Sequence, residues 1–378
     1  MATLPVPGTM DEVDSAWLTA ALRSTGVIKD ATVTASPRVQ IGQGVGILGE
    51  LARVTLEYDR PEPGAPKTLI AKIPTADPGG KGIAQMLGFY EKEARFYVEL
   101  CDHVGVRTAR GYYSAGDAAA VKYIVLMEDL SAIPIGDQVQ GATAEECHTL
   151  IGEVAKLHAK WWDSPELAAL DWVPAGNSDL IKLAAVAYAQ SLEPFLTGFG
   201  DHLSAAERDM AMAYMHRMNP MQDAFASAPN TLCHGDLRLD NVFWGSADGK
   251  APVTLVDWQI AIKARGPYDV AYFMSQSVDP PIRASIEEGL VREYQRALAD
   301  NGVKGYSFDD AWEDYRVAVM FCLTYPVTAC GSIDLANERG VKLVTTMLDR
   351  SLSAIRDLKA AEILDRFEPK PHPLLAGA

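Results

Sequence analysis

The chain lacks the features of a secreted or membrane protein. Its five cysteines are odd in number and include no C-x-x-C pair, which is typical of free thiols in a reducing compartment. The N-terminal segment has neither the basic region nor the apolar core of a signal peptide. The longest charge-free apolar stretch, residues 317–333, contains Pro326, and we interpret it as a buried, broken helix rather than a membrane span. The sequence therefore predicts a cytoplasmic protein.

Positive charge is also scarce. There are 34 basic residues against 50 acidic ones, which gives a formal net charge of −16. Nucleic acids and anionic membranes both require a positive surface, so we expect neither as a partner. The acidic excess lies mostly after Leu130, where 34 acidic residues face 21 basic ones. This balance favours a neutral or cationic ligand for the second part, although acidic surfaces also serve solubility alone.

A chain of 378 residues is too long for one simple core, which favours two domains. Hydrophobic periodicity and turn residues predict the elements in two groups. Predicted strands cover 33–58, 67–74 and 122–130, and predicted helices cover 83–101, 143–162, 178–228, 284–300 and 309–363. A β-rich segment at 231–258 interrupts the helices. The sequence thus predicts an α+β chain with a sheet-containing N-terminal lobe at 1–130 and a mostly helical C-terminal lobe at 131–378.

The strongest chemical signal is the segment HGDLRLDN, residues 234–241, with Asp257 sixteen residues further on. Phosphoryl transfer requires a carboxylate that accepts the proton of the attacking hydroxyl, and oxygen ligands for Mg²⁺. Asp236 suits the first task, and Asn241 and Asp257 suit the second. Asp, Gly and Asn are also ordinary turn residues. The strand–loop–strand context favours the catalytic interpretation over a plain turn.

At these residues the chain resembles the aminoglycoside phosphotransferase and choline- and ecdysteroid-kinase-like superfamily, which shares the protein-kinase fold. The resemblance implies a bilobal fold with ATP and Mg²⁺ held between the lobes. It implies Asp236 as the base, Asn241 and Asp257 as metal ligands, and His234 as a residue that orders the loop. Arg238 matches a lysine of many protein kinases, so contact with the γ-phosphate and a solvated surface position both remain open for it.

Lys72 is unusual because it interrupts the apolar segment TLIAKIP. An ammonium group is costly to bury without a partner, so Lys72 either points to water from the sheet or pairs with a carboxylate. Glu93 lies in line with the apolar stripe of the following helix, three residues after Tyr90, which selects it over Glu91. The superfamily pattern E-x-x-F-Y also appears at residues 93–97. We therefore predict a Lys72–Glu93 pair beside the nucleotide phosphates.

Further nucleotide contacts are predicted from position. The stretch 41–50 carries Gly42, Gly44 and Gly46 before a strand, where glycines permit close approach of the backbone to phosphates. The spacing departs from the kinase pattern, and on its own it also fits a flexible hairpin turn. The segment 122–130 matches a strand that leads into an adenine-binding hinge, which makes Glu128 and Leu130 candidates for main-chain contacts with the nucleotide.

The sequence predicts a small-molecule kinase. About ten residues separate Asp257 from the helix near Tyr268, too few for a protein-kinase activation segment. We therefore expect a small hydroxylated substrate, such as an aminoglycoside, choline or another hydroxylated metabolite, and the sequence does not select among them. Two alternatives remain: a nucleotide-binding pseudokinase, and a metal-dependent phosphohydrolase, for which no H-x-H or H-E-x-x-H motif is present.

Overall fold

The computed structural model describes residues 4–42 and 48–370. The chain divides into two compact units. The first comprises the residues up to Pro134 together with Gly245–Ile260, and the second comprises Ile135–Trp244 together with the residues from Ala261 onward. The α+β class is confirmed, with strands concentrated early in the chain and helices later. The segment Gly245–Ile260, which the sequence places in the second domain, packs with the first unit instead.

The first unit is built on a five-stranded antiparallel sheet with the strand order β2-β3-β5-β7-β6. The strands are β1 (Val33–Ala35), β2 (Arg38–Ile41), β3 (Gly49–Thr55), β4 (Glu57–Tyr58), β5 (Thr68–Pro74), β6 (Gly111–Asp117) and β7 (Lys122–Glu128). Helix α1 (Ser15–Ser24) packs Leu18 and Leu22 into a core that also contains Leu69, Ala71 and Ile73 of β5. Because side chains alternate along a strand, Lys72 points to the other face of the sheet.

The helical segment after β5 differs from its prediction. The sequence predicts one helix over 83–101, whereas the structure has α2 (Pro78–Met86) and α3 (Phe89–Glu99). Gly88 separates them with φ +65, a left-handed conformation that glycine adopts at little cost. Strand β6 was not predicted, because its sequence GYYSAGD (Gly111–Asp117) lacks a regular alternation of apolar and polar residues.

The second unit is mostly helical. Its helices are α4 (Ala144–Trp161), α5 (Pro165–Ala169), α6 (Asp179–Phe199), α7 (Ala205–Met215), α8 (Met218–Phe225), α9 (Pro267–Ser277), α10 (Pro280–Asp300), α11 (Phe308–Cys322), α12 (Thr324–Ser332) and α13 (Glu338–Asp357). The stretches 178–228 and 309–363 are therefore each divided into several helices. A capping box of Thr143 and Glu146 opens α4.

Four short strands lie between α8 and α9: β8 (Thr231–Cys233), β9 (Val242–Phe243), β10 (Thr254–Leu255) and β11 (Ile262–Ala264). Strands β8 and β11 pair antiparallel within the second unit, and this pair supports the loop that follows β8. No helix in the described part of the chain is both long and apolar enough to span a membrane. All five cysteines are free thiols.

Candidate active site

The first unit brings together a lysine and two carboxylates. Lys72 Nζ lies 2.8 Å from Glu93 Oε1 and 3.1 Å from Asp257 Oδ1. The side chains of Lys72 and Glu93 are only 12% and 4% exposed, so the ion pair is shielded from solvent. The structure therefore places next to each other the two residues that the sequence paired, and it adds Asp257 to them.

Burial and the mutual interaction of their charges shift the pKa values of Lys72 and Glu93. Burial lowers the pKa of Lys72, but the carboxylates of Asp257 and Glu93 outweigh it and hold that pKa above its ordinary value. Burial raises the pKa of Glu93 and the charge of Asp257 adds to this rise, while Lys72 opposes it. Lys72 is thus a fixed cation at neutral pH.

Asp257 is held by its backbone and by its neighbour. Its φ of +66 is in the left-handed region, which is rare for a residue other than glycine and often marks a functional position. The indole of Trp258 stacks on Phe96 of α3, with the ring centroids 4.4 Å apart and the planes 7° from parallel. Helix α3 therefore positions both Glu93 and, through Phe96, the segment that carries Asp257. The Asp257 side chain remains 26% exposed and can reach a ligand.

The second unit holds the loop 234–241 through a buried carboxylate. Asp269, fully buried in the first turn of α9, accepts the backbone N–H of His234 at 2.7 Å and that of Gly235 at 3.0 Å. Gly235 has φ +86, so the loop turns sharply where Asp269 anchors it. His158 lies with Nε2 3.2 Å from Asp269 and helps to compensate its buried charge. This cluster fixes the backbone just before Asp236.

Hydrogen bonds account for the cluster at this anchor without a metal ion. His158, Cys233 and Asp269 lie close enough together to share an ion. Without an ion, burial raises the pKa of Cys233 well above its ordinary value and the charge of Asp269 raises it further, so the thiol stays protonated. Both carboxylate oxygens of Asp269 already accept hydrogen bonds. We therefore interpret the cluster as structural.

Both carboxylate oxygens of Asp236 are held by donors. Tyr272 OH donates to Oδ1 at 2.7 Å, and Asn241 Nδ2 donates to Oδ2 at 3.1 Å. Asn241 Nδ2 also donates to the Asp236 backbone carbonyl at 2.9 Å, while the Asp236 N–H donates to His234 Nδ1 at 3.3 Å. The structure thus brings together three sequence-predicted residues, His234, Asp236 and Asn241, and adds Tyr272.

Tyr272 was missed by the sequence analysis. It lies one turn after Asp269 on α9, and no local spacing indicates that its hydroxyl reaches a loop 36 residues earlier. Burial raises the pKa of Tyr272 well above its ordinary value, and the charge of Asp236 raises it further. The hydroxyl therefore stays protonated and remains a hydrogen-bond donor to Asp236.

Gln138 is a second residue that the sequence did not indicate. It is 1% exposed, and its Oε1 accepts the N–H of Leu239 at 2.9 Å and the hydroxyl of Ser277 at 3.0 Å. The backbone N–H of Gln138 donates to Asp240 Oδ1 at 3.1 Å. Gln138 therefore fixes the second half of the loop, as Asp269 fixes the first half.

Arg238 lies over two acidic side chains. Its Nε is 3.8 Å from Asp236 Oδ2 and its Nη1 is 3.7 Å from Asp240 Oδ2. The side chain is 24% exposed, so it is neither a core residue nor a freely solvated one. This position leaves open both predicted interpretations, contact with phosphate and an electrostatic role at the loop surface.

Some of the residues predicted to contact the nucleotide already make hydrogen bonds within the protein. Gly42 has φ +71, while Gly44 and Gly46 lie outside the described residues. The N–H of Glu128 donates to Arg110 O at 2.9 Å, and its carboxylate holds Arg107 at 2.6 Å. The carbonyl of Leu130 accepts a turn hydrogen bond at 2.8 Å. The Glu128 side chain and N–H therefore stabilise the sheet edge.

One family model matches the chain. The model of APH, the phosphotransferase enzyme family, matches residues 86–308, which is more than half of the chain. No curated protein matches the sequence.

The fold has solved relatives at low sequence identity. A putative aminoglycoside phosphotransferase from Ralstonia eutropha is 14% identical, with a TM-score of 0.53 over 90% of this chain and 97% of that chain. The complex of APH(2″)-IIIa with GDP and kanamycin is 14% identical, with a TM-score of 0.50 over 92% and 98% of the two chains. Choline kinase from Cryptosporidium parvum is 8% identical, with a TM-score of 0.50 over 88% and 89%.

These structures confirm the kinase-like fold that the sequence predicts. The family match covers the ion-paired helix α3, the anchored loop 234–241 and Asp257 in one stretch. The chain therefore belongs to the APH phosphotransferase enzyme family and is a small-molecule phosphotransferase with the kinase-like fold.

Proposed function

We propose that the protein transfers the γ-phosphate of ATP to a hydroxyl group of a small molecule, with Asp236 as the base. The observation that carries this proposal is the way in which Asp236 is held. Tyr272 and Asn241 donate to its two oxygens, and the loop before it is anchored by Asp269. A carboxylate fixed by donors on a rigid loop is suited to orient a hydroxyl and to accept its proton.

Lys72 is the proposed partner of the nucleotide phosphates. It is a buried, permanently charged cation, and Glu93 holds it in place at 2.8 Å. A cation fixed in this way is pre-organised to stabilise phosphate oxygens without losing side-chain freedom on binding. Gly42, Gly44 and Gly46 remain proposed phosphate-loop residues, and the main chain at Glu128 and Leu130 remains the proposed contact for the base.

Asp257 and Asn241 remain the proposed ligands of a Mg²⁺ ion. Asp257 contacts Lys72 through Oδ1, which leaves the rest of its partly exposed carboxylate for a cation. Asn241 directs its amide nitrogen to Asp236, so its carbonyl oxygen faces elsewhere. Mg²⁺ takes few protein oxygens and completes its shell with water and phosphate. When bound, the ion would neutralise charge on the phosphate oxygens.

The bond changes balance without another reactant. The acceptor hydroxyl oxygen forms a bond to the γ-phosphorus as the bond from that phosphorus to the β–γ bridging oxygen breaks. The hydroxyl proton passes to Asp236, and the products are ADP and a phosphate ester. Because the transition state of phosphoryl transfer is loose, Asp236 contributes by positioning the hydroxyl as well as by accepting its proton.

The test is a screen for ATP consumption with a library of neutral and cationic hydroxylated compounds. The wild-type protein should form ADP and a phosphorylated acceptor in equal amounts. Asp236→Asn should keep ATP binding in calorimetry and lower kcat by roughly 10²-fold or more, because the base is lost. Asp257→Asn should weaken the dependence of ATP binding on Mg²⁺, while Asp309→Asn, an exposed aspartate at the start of α11, should match the wild type.

Three outcomes would contradict this proposal in whole or in part. ATP binding without turnover for any acceptor would favour a pseudokinase. Metal-dependent release of phosphate from ATP that no acceptor accelerates would favour a phosphohydrolase. Full activity of Asp236→Asn with the true acceptor would remove Asp236 from the mechanism while leaving the fold assignment intact.

A further inference from the structure

The second unit contains a small apolar pocket of about 110 Å³, and none of the charged residues of the site described above line it. Its walls come from helices α6, α8, α9, α11 and α12 and from strand β11. Ile181, Met218, Phe225 and Phe321 are among its apolar lining residues, and no lining residue carries a charge. Such a surface binds an apolar body and disfavours a cation, because a buried charge needs a paired group.

Small residues keep one side of this pocket open. A Cβ atom placed on Gly176 would lie 3.8 Å from Ala226 Cβ and 3.9 Å from Ala264 Cβ. Three of the shortest side chains therefore meet where larger ones would fill the space. The small size of these three residues therefore leaves space in the pocket.

One polar atom in the lining has no protein partner. Gln222 is 6% exposed, and its Nε2 donates to Ile181 O at 3.3 Å. Its Oε1 is buried without a hydrogen bond from any residue that the structure describes. A buried acceptor left in this state is costly. A ligand that places an O–H or N–H group against it would remove that cost.

Tyrosines connect the pocket to the proposed base. Tyr268 and Tyr325 line the pocket, and their hydroxyls are hydrogen-bonded to each other. The Tyr325 ring lies 4.5 Å, centroid to centroid, from the ring of Tyr272, and Tyr272 donates to Asp236. The pocket is therefore two side chains away from Asp236 within the same unit.

We propose that this pocket binds the apolar body of a neutral, hydroxylated acceptor, and that Gln222 Oε1 accepts a hydrogen bond from a second donor on that body. The proposal rests on the proposed function, because it assigns the substrate class of the same reaction. Of the neutral and cationic ligands that the charge balance of the sequence allows, it selects the neutral class, since no carboxylate lines the pocket. A quaternary ammonium compound held by the aromatic rings is the competing occupant.

The test measures binding by calorimetry without nucleotide, so that it does not depend on turnover. The probes are 2,6-bis(hydroxymethyl)naphthalene, 2-naphthalenemethanol, choline and kanamycin. The diol should bind at least about 10-fold more tightly than choline or kanamycin, because its apolar body fills the pocket. Its second hydroxyl should improve affinity over the mono-alcohol by roughly 3- to 10-fold, the usual effect of one hydrogen bond.

Matched variants locate the site. Gln222→Met should abolish the advantage of the diol over the mono-alcohol, while Gln190→Met, an exposed glutamine on α6, should retain it. Ala184→Phe, which fills the pocket from α6, should weaken both probes by more than about 10-fold. Ala224→Phe, an exposed alanine on α8, should leave them unchanged.

The outcomes separate the two proposals. Tighter binding of choline or kanamycin, or diol binding that neither Gln222→Met nor Ala184→Phe alters, would overturn the assignment of the pocket. Phosphorylation of choline that depends on Asp236 would overturn it while supporting the proposed function. Diol binding at the pocket, combined with no phosphorylation of any acceptor, would instead contradict the proposed function.

Discussion

Tyr272 donates a 2.7 Å hydrogen bond to Asp236 Oδ1 from a helix whose first turn carries Asp269, the anchor of the Asp236 loop. One element, α9, therefore fixes both the backbone and the side chain of the proposed base. Both Asp269 and Tyr272 lie about 35 residues after the loop residues that they contact.

The first prediction concerns this hydrogen bond. Tyr272→Phe keeps the ring that packs against Tyr325 and removes only the donor. We expect kcat to fall by roughly 10-fold, the effect of one hydrogen bond on a positioned carboxylate, with little change in the KM for ATP. Steady-state kinetics with an identified acceptor measure both. Tyr188→Phe, which removes a buried hydroxyl that donates to Ala211 O on α7, should leave kcat unchanged.

The second prediction concerns the buried ion pair. Lys72→Met leaves Glu93 as a buried carboxylate without its cation, so we expect a loss of about 3–5 kcal/mol in the free energy of unfolding, together with weaker ATP binding. Adding Glu93→Gln should recover part of the stability but none of the ATP affinity. Urea unfolding and calorimetry measure the two quantities. Lys67→Met, at an exposed position of the same unit, should change neither quantity. A free energy of unfolding of Lys72→Met equal to that of the wild type would contradict the pairing of Lys72 with Glu93.

The third prediction follows from Lys92. This residue of α3 is 4% exposed, and burial lowers its pKa from 10.5 to about 8. The folded protein therefore releases this proton near pH 8, while the unfolded chain holds it until about pH 10.5. Between these values the unfolded state binds more protons, so this group makes the folded state more stable as the pH rises through that window.

Lys92→Met should remove the cost of the buried cation. We expect the free energy of unfolding at pH 7 to rise by roughly 1–3 kcal/mol, and this gain to shrink as the pH increases from 8 to 10. Urea unfolding at pH 7, 8.5 and 10 measures the trend. A gain that stays constant over this range, or one that Lys67→Met reproduces, would show that Lys92 does not titrate as its burial predicts.

The fourth prediction tests the turn before the base. Gly235 has φ +86, so Gly235→Ala forces an alanine into a left-handed conformation at a cost of about 1–2 kcal/mol. We expect kcat of the folded protein to fall in addition to this loss of stability, because the backbone that Asp269 holds would shift. Gly302→Ala is the matched control, since Gly302 has φ +98 in open space at the end of α10. A similar loss of stability with unchanged kcat should follow there.

Sequence reasoning succeeded where the chemistry was local. Lys72 interrupts an apolar strand and Glu93 interrupts an apolar helical stripe, and each exception requires a buried partner, so the two could be paired without a structure. The loop 234–241 and Asp257 form a motif of fixed spacing, which is visible in a single chain. The fold class followed from the order of these segments and from the resemblance that they carry.

Contacts set by tertiary packing could not be predicted. Tyr272 and Gln138 reach the loop from elements distant in sequence, and neither residue type is unusual where it lies. The break at Gly88 was hidden because apolar spacing continues across it. The apolar pocket draws on segments between Gly176 and Tyr325, so only the folded chain brings its lining together.

The stack of Trp258 on Phe96 has a consequence for how the chain can be dissected. Through this stack the segment Gly245–Ile260 packs on the first unit. In the sequence, however, more than a hundred residues of the second unit lie between this segment and the rest of the first unit. A fragment that ends at Pro134 would leave one face of Phe96 bare and would lack Asp257, the second carboxylate at Lys72. An exchange of the sheet-containing part between two related chains would therefore have to transplant two separate stretches of sequence together.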